Sequence, residues 1–126
     1  VYLFHGTTVN AAMRIAQADF NLQLAGSGNG TMYGNGLYLS ENSTKADEYA
    51  RDESKGDFHG VFAMIVARAC MGKMYYTEQR DEQAFEEVSS GQHDSCLGDR
   101  LKAAQTFREF VVYDADQVYP EYVIFY

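Results

Sequence analysis

The sequence predicts an α+β fold built mostly on antiparallel sheet. Three observations point there. About six short β-rich runs stand along the chain, only two or three helical stretches lie among them, and the two kinds do not alternate regularly as a doubly wound sheet requires. The 126 residues suit one domain rather than two. A domain of this size buries somewhat under about 70% of its unfolded surface, enough for a core without staples. With 46% apolar residues, 14% aromatics and a single proline against eleven glycines, the composition is globular and its tight turns fall to glycine.

Taken in order, "VYLF" (1–4) reads as a buried strand stopped by His5-Gly6. Residues 9–18 put Val9, Ala12, Met13 and Ala16 on one helical face, which predicts a short amphipathic helix. Residues 25–36 hold five glycines and read as a loop, and "GLYLS" (36–40) as a short strand. From Asn42 or Ser43, each a reasonable N-cap, a helix is expected through Lys45, Ala46, Tyr49 and Ala50. "GVFAMIVARAC" (60–70) suits a central strand, and "KMYY" (73–76) follows it across Gly72. Residues 78–104 are polar, with weak helix at 81–88 and a loop at 89–98. "REFVVYD" (108–114) and "VYPEYVIFY" (118–126) close the chain as strands, Pro120 being tolerable near a strand start or at an edge.

Charge and cysteine content exclude several classes. The net charge is −8 and the ten Lys and Arg are scattered, so nucleic-acid binding and attachment to anionic membranes are not expected. Cys70 and Cys96 make neither a disulfide framework nor a CxxC motif. No apolar run approaches the ~20 residues of a membrane span and no signal peptide is visible. An intracellular setting, cytoplasmic or nuclear, is the expectation. Because the chain opens and closes in strand-like runs, residues 1–126 are expected to be one trimmed domain of a larger protein.

Each candidate site has a plain alternative. His5-Gly6-Thr7 can be a polar strand terminator, although Gly6, lacking a Cβ, would let a ligand meet the backbone directly. The run Gly26–Gly30 has a phosphate-loop flavour, but it lacks the GK[ST] ending and no helix follows it at once. Tyr38 and Tyr49 can be core aromatics among ten tyrosines. Their setting points elsewhere: Gly34 and Gly36 thin the wall before Tyr38, and Tyr49 lies one helical turn past Lys45. Two such rings can hold a flat cationic ligand, worth roughly 0.5–2 kcal/mol from the π faces. Glu109 and Glu121 each interrupt an apolar strand, and spacing alone does not rank them. His59 and His93 have no partners at ligand spacing, so no metal is expected.

In order, "FHGT", "YGNGLYLSENSTKADEY" and "REFVVYDADQVYPEYVI" resemble the motifs of the poly(ADP-ribose) polymerase-like branch of the ADP-ribosyltransferases, the diphtheria-toxin-like class. "GDFHGVFAMIVARACMGKMY" and "GQHDSCLGD" resemble that family's middle strand and pre-catalytic loop, so the likeness covers nearly the whole chain. The resemblance implies an ADP-ribosyltransferase-like fold: two packed, mostly antiparallel sheets with a few short helices around an NAD cleft. It implies NAD+ as co-substrate and places His5, Tyr38 and Glu109 as the His-Tyr-Glu triad. It also puts His5, Gly6, Thr7, Tyr38, Lys45 and Tyr49 at the dinucleotide. His5 would meet an adenosine ribose hydroxyl, Gly6 the nicotinamide carboxamide, and the two tyrosines the nicotinamide ring. Glu109 would hold the nicotinamide ribose 2′-hydroxyl and stabilise an oxocarbenium-like centre, and Glu121 would belong to the last strand.

The implied activity is NAD+-dependent transfer of ADP-ribose to a macromolecular, chiefly protein, acceptor, automodification included, with release of nicotinamide. Mono- and poly-transfer stay open. Two departures from the family pattern stand out. Many relatives carry Ser where this chain has Ala46, and residues 20–31 lack the basic residue that often contacts the adenosine half. An alternative is therefore a non-catalytic NAD+ or ADP-ribose-binding module of the same fold. A third reading pairs Glu109 with Glu121, on adjoining strand segments, as a carboxylate-pair hydrolase.

Overall fold

The computed structural model describes residues 1–24, 31–53 and 55–126. The glycine run Gly26–Gly30, and with it much of the predicted 25–36 loop, lies outside the described residues. The elements are β1 (Tyr2–Thr7), α1 (Val9–Ala18), β2 (Leu37–Leu39), α2 (Ser43–Asp47), β3 (Ala63–Ala69), β4 (Met74–Thr77) and α3 (Ala84–Ser89). After them come β5 (Ser95–Asp99), α4 (Arg100–Ala104), β6 (Arg108–Val112), a 3-10 turn at Ala115–Gln117 and β7 (Val118–Phe125). Among the described residues the strands form two sheets, in the orders β1-β3-β7 and β2-β6-β5-β4. Every pairing between these strands among the described residues is antiparallel except β4 with β5, which is parallel. The fold is α+β.

The long apolar run becomes β3, the middle strand of the first sheet, as its composition requires. α1 forms over the predicted residues with Val9 and Ala12 buried and Ile15 packed against the core, but Met13 and Ala16 of the predicted stripe are exposed. Thr8 caps the helix by accepting from the Ala11 amide at 3.2 Å. Pro120 sits on edge strand β7, beside the register shift at Val66/Ala67. Leu3, Ile65 and Ala67 of the first sheet share a core with Leu37, Leu39, Leu97, Phe110 and Val112 of the second. Full burial of a side chain such as Ile65 stabilises by about 1.5–3 kcal/mol. A smaller cluster of Tyr33, Ala84, Cys96 and Val111 forms on the opposite face of the second sheet.

Four expectations need correction. β1 does not stop at His5-Gly6, because β3 supplies a partner for every residue from Tyr2 to Thr7. α2 ends at Asp47, so Tyr49 is not on the helix. The Tyr49 and Ala50 amides bond back three residues, to Ala46 and Asp47, tightening the chain into a turn. The predicted loop at 89–98 contains most of β5, each residue of which is buried. The segment after it folds as α4, which the polar sequence did not suggest.

Candidate active site

The two sheets meet edge to edge where Phe4 and Ser40 exchange backbone hydrogen bonds of 2.7 and 2.9 Å. Along a strand, successive residues direct their amide and carbonyl to opposite edges. Phe4 therefore points away from β3, and two residues on Gly6 presents its N–H and C=O to that same outer edge. Gly6 has a second reason to be glycine. A Cβ there would collide with the Ala46 carbonyl and stand 2.9 Å from the Ala50 amide, so its absence also lets α2 lie against β1.

His5 faces the other way, toward the gap between the sheets. Its Nδ1 donates to the Tyr38 carbonyl at 3.0 Å, since a carbonyl can only accept. Burial pushes the imidazole below its ordinary pKa, against the opposing effect of that bond. His5 is thus neutral at pH 7, with Nε2 left as an acceptor. Phe20 meets its ring edge-on at 5.6 Å.

Tyr38 lies on β2 with its hydroxyl clamped. It accepts from the Tyr33 amide at 2.9 Å and donates to the Gly34 carbonyl at 2.8 Å. Burial raises its pKa, so the phenol is no proton source near neutral pH. Lys45 pairs with Glu48 at 2.8 Å and stands 5.1 Å from the centre of the Tyr49 ring. Burial depresses the lysine, but Glu48, Tyr49 and Glu109 outweigh it and its pKa is raised.

Glu109 is only 5% exposed, on β6. Its Oε1 accepts from the Tyr49 hydroxyl at 3.3 Å, while its buried Oε2 has no partner among the described residues. Burial raises its pKa above the ordinary value; Lys45, Arg100 and the Tyr49 hydroxyl pull the other way. Next to it Arg108 grips Glu41 with two bonds of 2.7 Å, fixing the start of β6 against the segment after β2.

One cavity of about 670 Å³ is lined by His5, Gly6, Thr7, Tyr38, Lys45, Tyr49 and Glu109 together. Every residue that the resemblance places at the dinucleotide or in the triad lines it. Glu121 does not: it lies on β7 in the other sheet, with Tyr2 and Arg68 for company. The two glutamates are not on adjoining strands, and the carboxylate-pair hydrolase fails on that ground. Sequence reasoning missed Arg14 of α1 and Arg51, which also line the cavity. Two isolated arginines on exposed positions carry no spacing signal, and only the fold brings them together. Among the described residues, no group of three or more His, Cys, Asp or Glu is arranged to hold a metal, and no helix is long and apolar enough to cross a membrane.

Residues 1–126 match the family model of the poly(ADP-ribose) polymerase catalytic domain. The chain is 34% identical over 126 residues to protein mono-ADP-ribosyltransferase PARP12 of Mus musculus, covering 98% of this chain and 16% of that protein. To the Homo sapiens PARP12 it is 27% identical over 124 residues, again covering 98% of the chain and 16% of the relative. To protein mono-ADP-ribosyltransferase PARP11 of Homo sapiens it is 27% identical over 139 residues, covering 97% of this chain and 40% of that protein. The chain thus spans well under half the length of these relatives.

Proposed function

Since this chain belongs to the poly(ADP-ribose) polymerase catalytic domain family, we propose that it transfers ADP-ribose from NAD+ to a protein acceptor and releases nicotinamide. The observation that carries the reading is the convergence of a neutral imidazole, a free backbone edge, two tyrosine rings and a dry carboxylate on one cavity. Mono-transfer is the favoured product, in line with the names of PARP12 and PARP11, which describe those proteins as mono-ADP-ribosyltransferases.

The residues fit the dinucleotide group by group. The Gly6 N–H and C=O offer one donor and one acceptor, the complement of a carboxamide. Neutral His5 accepts at Nε2 from a ribose hydroxyl. Tyr38 and Tyr49 supply π faces for a pyridinium, and Lys45 holds the Tyr49 ring from one side. Thr7 lines the same wall, and Arg14 and Arg51 bring positive charge for the diphosphate. They stand in for the basic residue that 20–31 lacks.

When bound, NAD+ supplies a glycosidic bond whose rupture expels neutral nicotinamide and leaves an electron-poor sugar carbon. Glu109, ionised, stabilises that carbon more in the transition state than in the ground state, which is the condition for acceleration. The same carboxylate orients or deprotonates the acceptor once the bond has opened. Tyr38, fixed by two backbone bonds, sets the glycosidic geometry.

A second reading, a binding module without turnover, is favoured by Ala46, whose methyl stands where many relatives have a hydroxyl for the carboxamide. Incubation with NAD+ separates the two. The transferase releases nicotinamide and becomes labelled or labels a protein acceptor; a binding module shows saturable NAD+ binding and releases none.

A further inference from the structure

On β5, Gly98 lies directly opposite Glu109 of β6. Residues so paired send their side chains to the same face of the sheet. Gly98 has none to send, and the place is taken by Tyr33: a Cβ built on Gly98 would land on the Tyr33 ring at Cζ and on its hydroxyl oxygen. Directly opposed Cβ positions in such a pair are about 4.5–5.5 Å apart. The Tyr33 hydroxyl overlaps the Gly98 Cβ position, so it occupies the Glu109 face as a near neighbour of the Glu109 side chain, whose carboxylate reaches two bonds beyond its own Cβ.

Two orphan atoms share this space. Tyr33 is fully buried and its hydroxyl, an able donor, has no partner among the described residues. Glu109 Oε2, an acceptor, is equally buried and equally unpaired. Tyr33 is held at its backbone from both sides, its amide donating to Tyr38 at 2.9 Å and its carbonyl accepting from Tyr113 at 2.5 Å. The phenol stays put, and the carboxyl torsion of Glu109 is the soft degree of freedom. Burial pushes the phenol up to about 12, so it remains a donor throughout the working pH range.

We propose that Tyr33 is a positioning residue for Glu109, its hydroxyl donating to Oε2 and turning Oε1 toward the cavity. The proposal rests on the transferase reading and adds to it the group that aims the carboxylate from behind. Other groups acting on Glu109 are Lys45 and Glu48 of α2, the Tyr49 hydroxyl and Arg100 of α4. Tyr38 of β2 lies on the same sheet face, two residues out of register. Of these, the Tyr49 hydroxyl alone has a hydrogen bond to the carboxylate among the described residues. The Tyr33 phenol would be a second, placed on Oε2.

Tyr33→Phe removes one oxygen and keeps the ring that fills the Gly98 site. Two readouts are compared with the wild type: nicotinamide release across pH, and the 13C titration of the Glu109 carboxyl by NMR, which needs no turnover. The expected result is a kcat lower by about tenfold with KM within about twofold, as for one lost hydrogen bond at the reacting group. The acidic limb and the carboxyl titration both move to higher pH. A site-specific 3-fluorotyrosine at position 33, a stronger donor on the same ring, moves both to lower pH. Superimposable titrations in wild type and Tyr33→Phe overturn the proposal, whatever happens to kcat. A wild-type domain that releases no nicotinamide defeats the transferase reading instead, and the NMR comparison still decides the role of Tyr33.

Discussion

Strands β6 and β7 each place one glutamate in an otherwise apolar run, and the two glutamates live in opposite conditions. Glu121 is half-buried, with the Arg68 guanidinium 3.4 Å from Oε2 and the Tyr2 hydroxyl 3.2 Å from Oε1, although Oε2 makes no hydrogen bond among the described residues. Glu109 is almost fully excluded from water, with one long bond on one oxygen and nothing on the other. The lesson is that a carboxylate with a cation beside it is already compensated and has little left to give a reacting centre. A dry, half-satisfied one is unstable in the resting fold and is satisfied by what enters the cavity. That contrast is what the proposed role of Glu109 rests on.

Substitution can break this contrast. Glu109→Gln is expected to lower ADP-ribosyl transfer by on the order of a hundredfold or more, as for removal of a group that acts on the transition state. The melting temperature should hold or rise at pH 7. The sign follows from linkage: with its pKa raised in the fold, Glu109 favours folding while protonated, and that contribution is lost as pH climbs through the folded value. A neutral amide avoids the loss. Scanning calorimetry beside a transfer assay checks both halves, and full activity in the variant would remove Glu109 from the mechanism.

Gly6→Ala tests the backbone edge. The new methyl meets the Ala46 carbonyl, a backbone atom with little freedom, so α2 must shift. Overpacking of this kind costs about 1–3 kcal/mol, and equilibrium unfolding should show it. Titration with NAD+ should show weaker binding as well. Milder is the pH response of the unaltered domain. Activity should rise with pH through a limb centred above the ordinary glutamate value, because burial holds the Glu109 proton. A limb at the ordinary value would mean that the carboxylate is wetter than its burial indicates. Smallest of all in its effect on activity, Glu121→Gln should leave transfer unchanged, because Glu121 lies on the other sheet and does not line the cavity.

How much of this was legible beforehand differs by element. β3 and α1 announce themselves, since a seven-residue apolar strand and a 3.6-period stripe are local signals. β5 does not: Ser95, Gly98 and Asp99 are poor strand formers. They are strand only because β4 and β6 flank them and Tyr33 fills the hollow over Gly98. The helical placement of Tyr49 failed for a similar reason, as α2 is cut short by a turn that no local residue demands. The cavity-lining residues were found through order and resemblance rather than propensity. The ranking of Glu109 over Glu121 follows physically from burial, which a sequence does not display. Tyr33 was read only as part of a glycine-rich stretch, because its partner positions are 65 and 76 residues away.

The bridge between Phe4 and Ser40 has a consequence of its own. It is a two-bond seam joining one sheet to the other, with His5 and Gly6 on one bank and Tyr38 on the other. Any breathing that parts those banks must first release the Phe4 and Ser40 amide protons to solvent. Deuterium uptake at these two amides is thus a built-in gauge of how often the fold yawns, and of how firmly an occupant holds it shut.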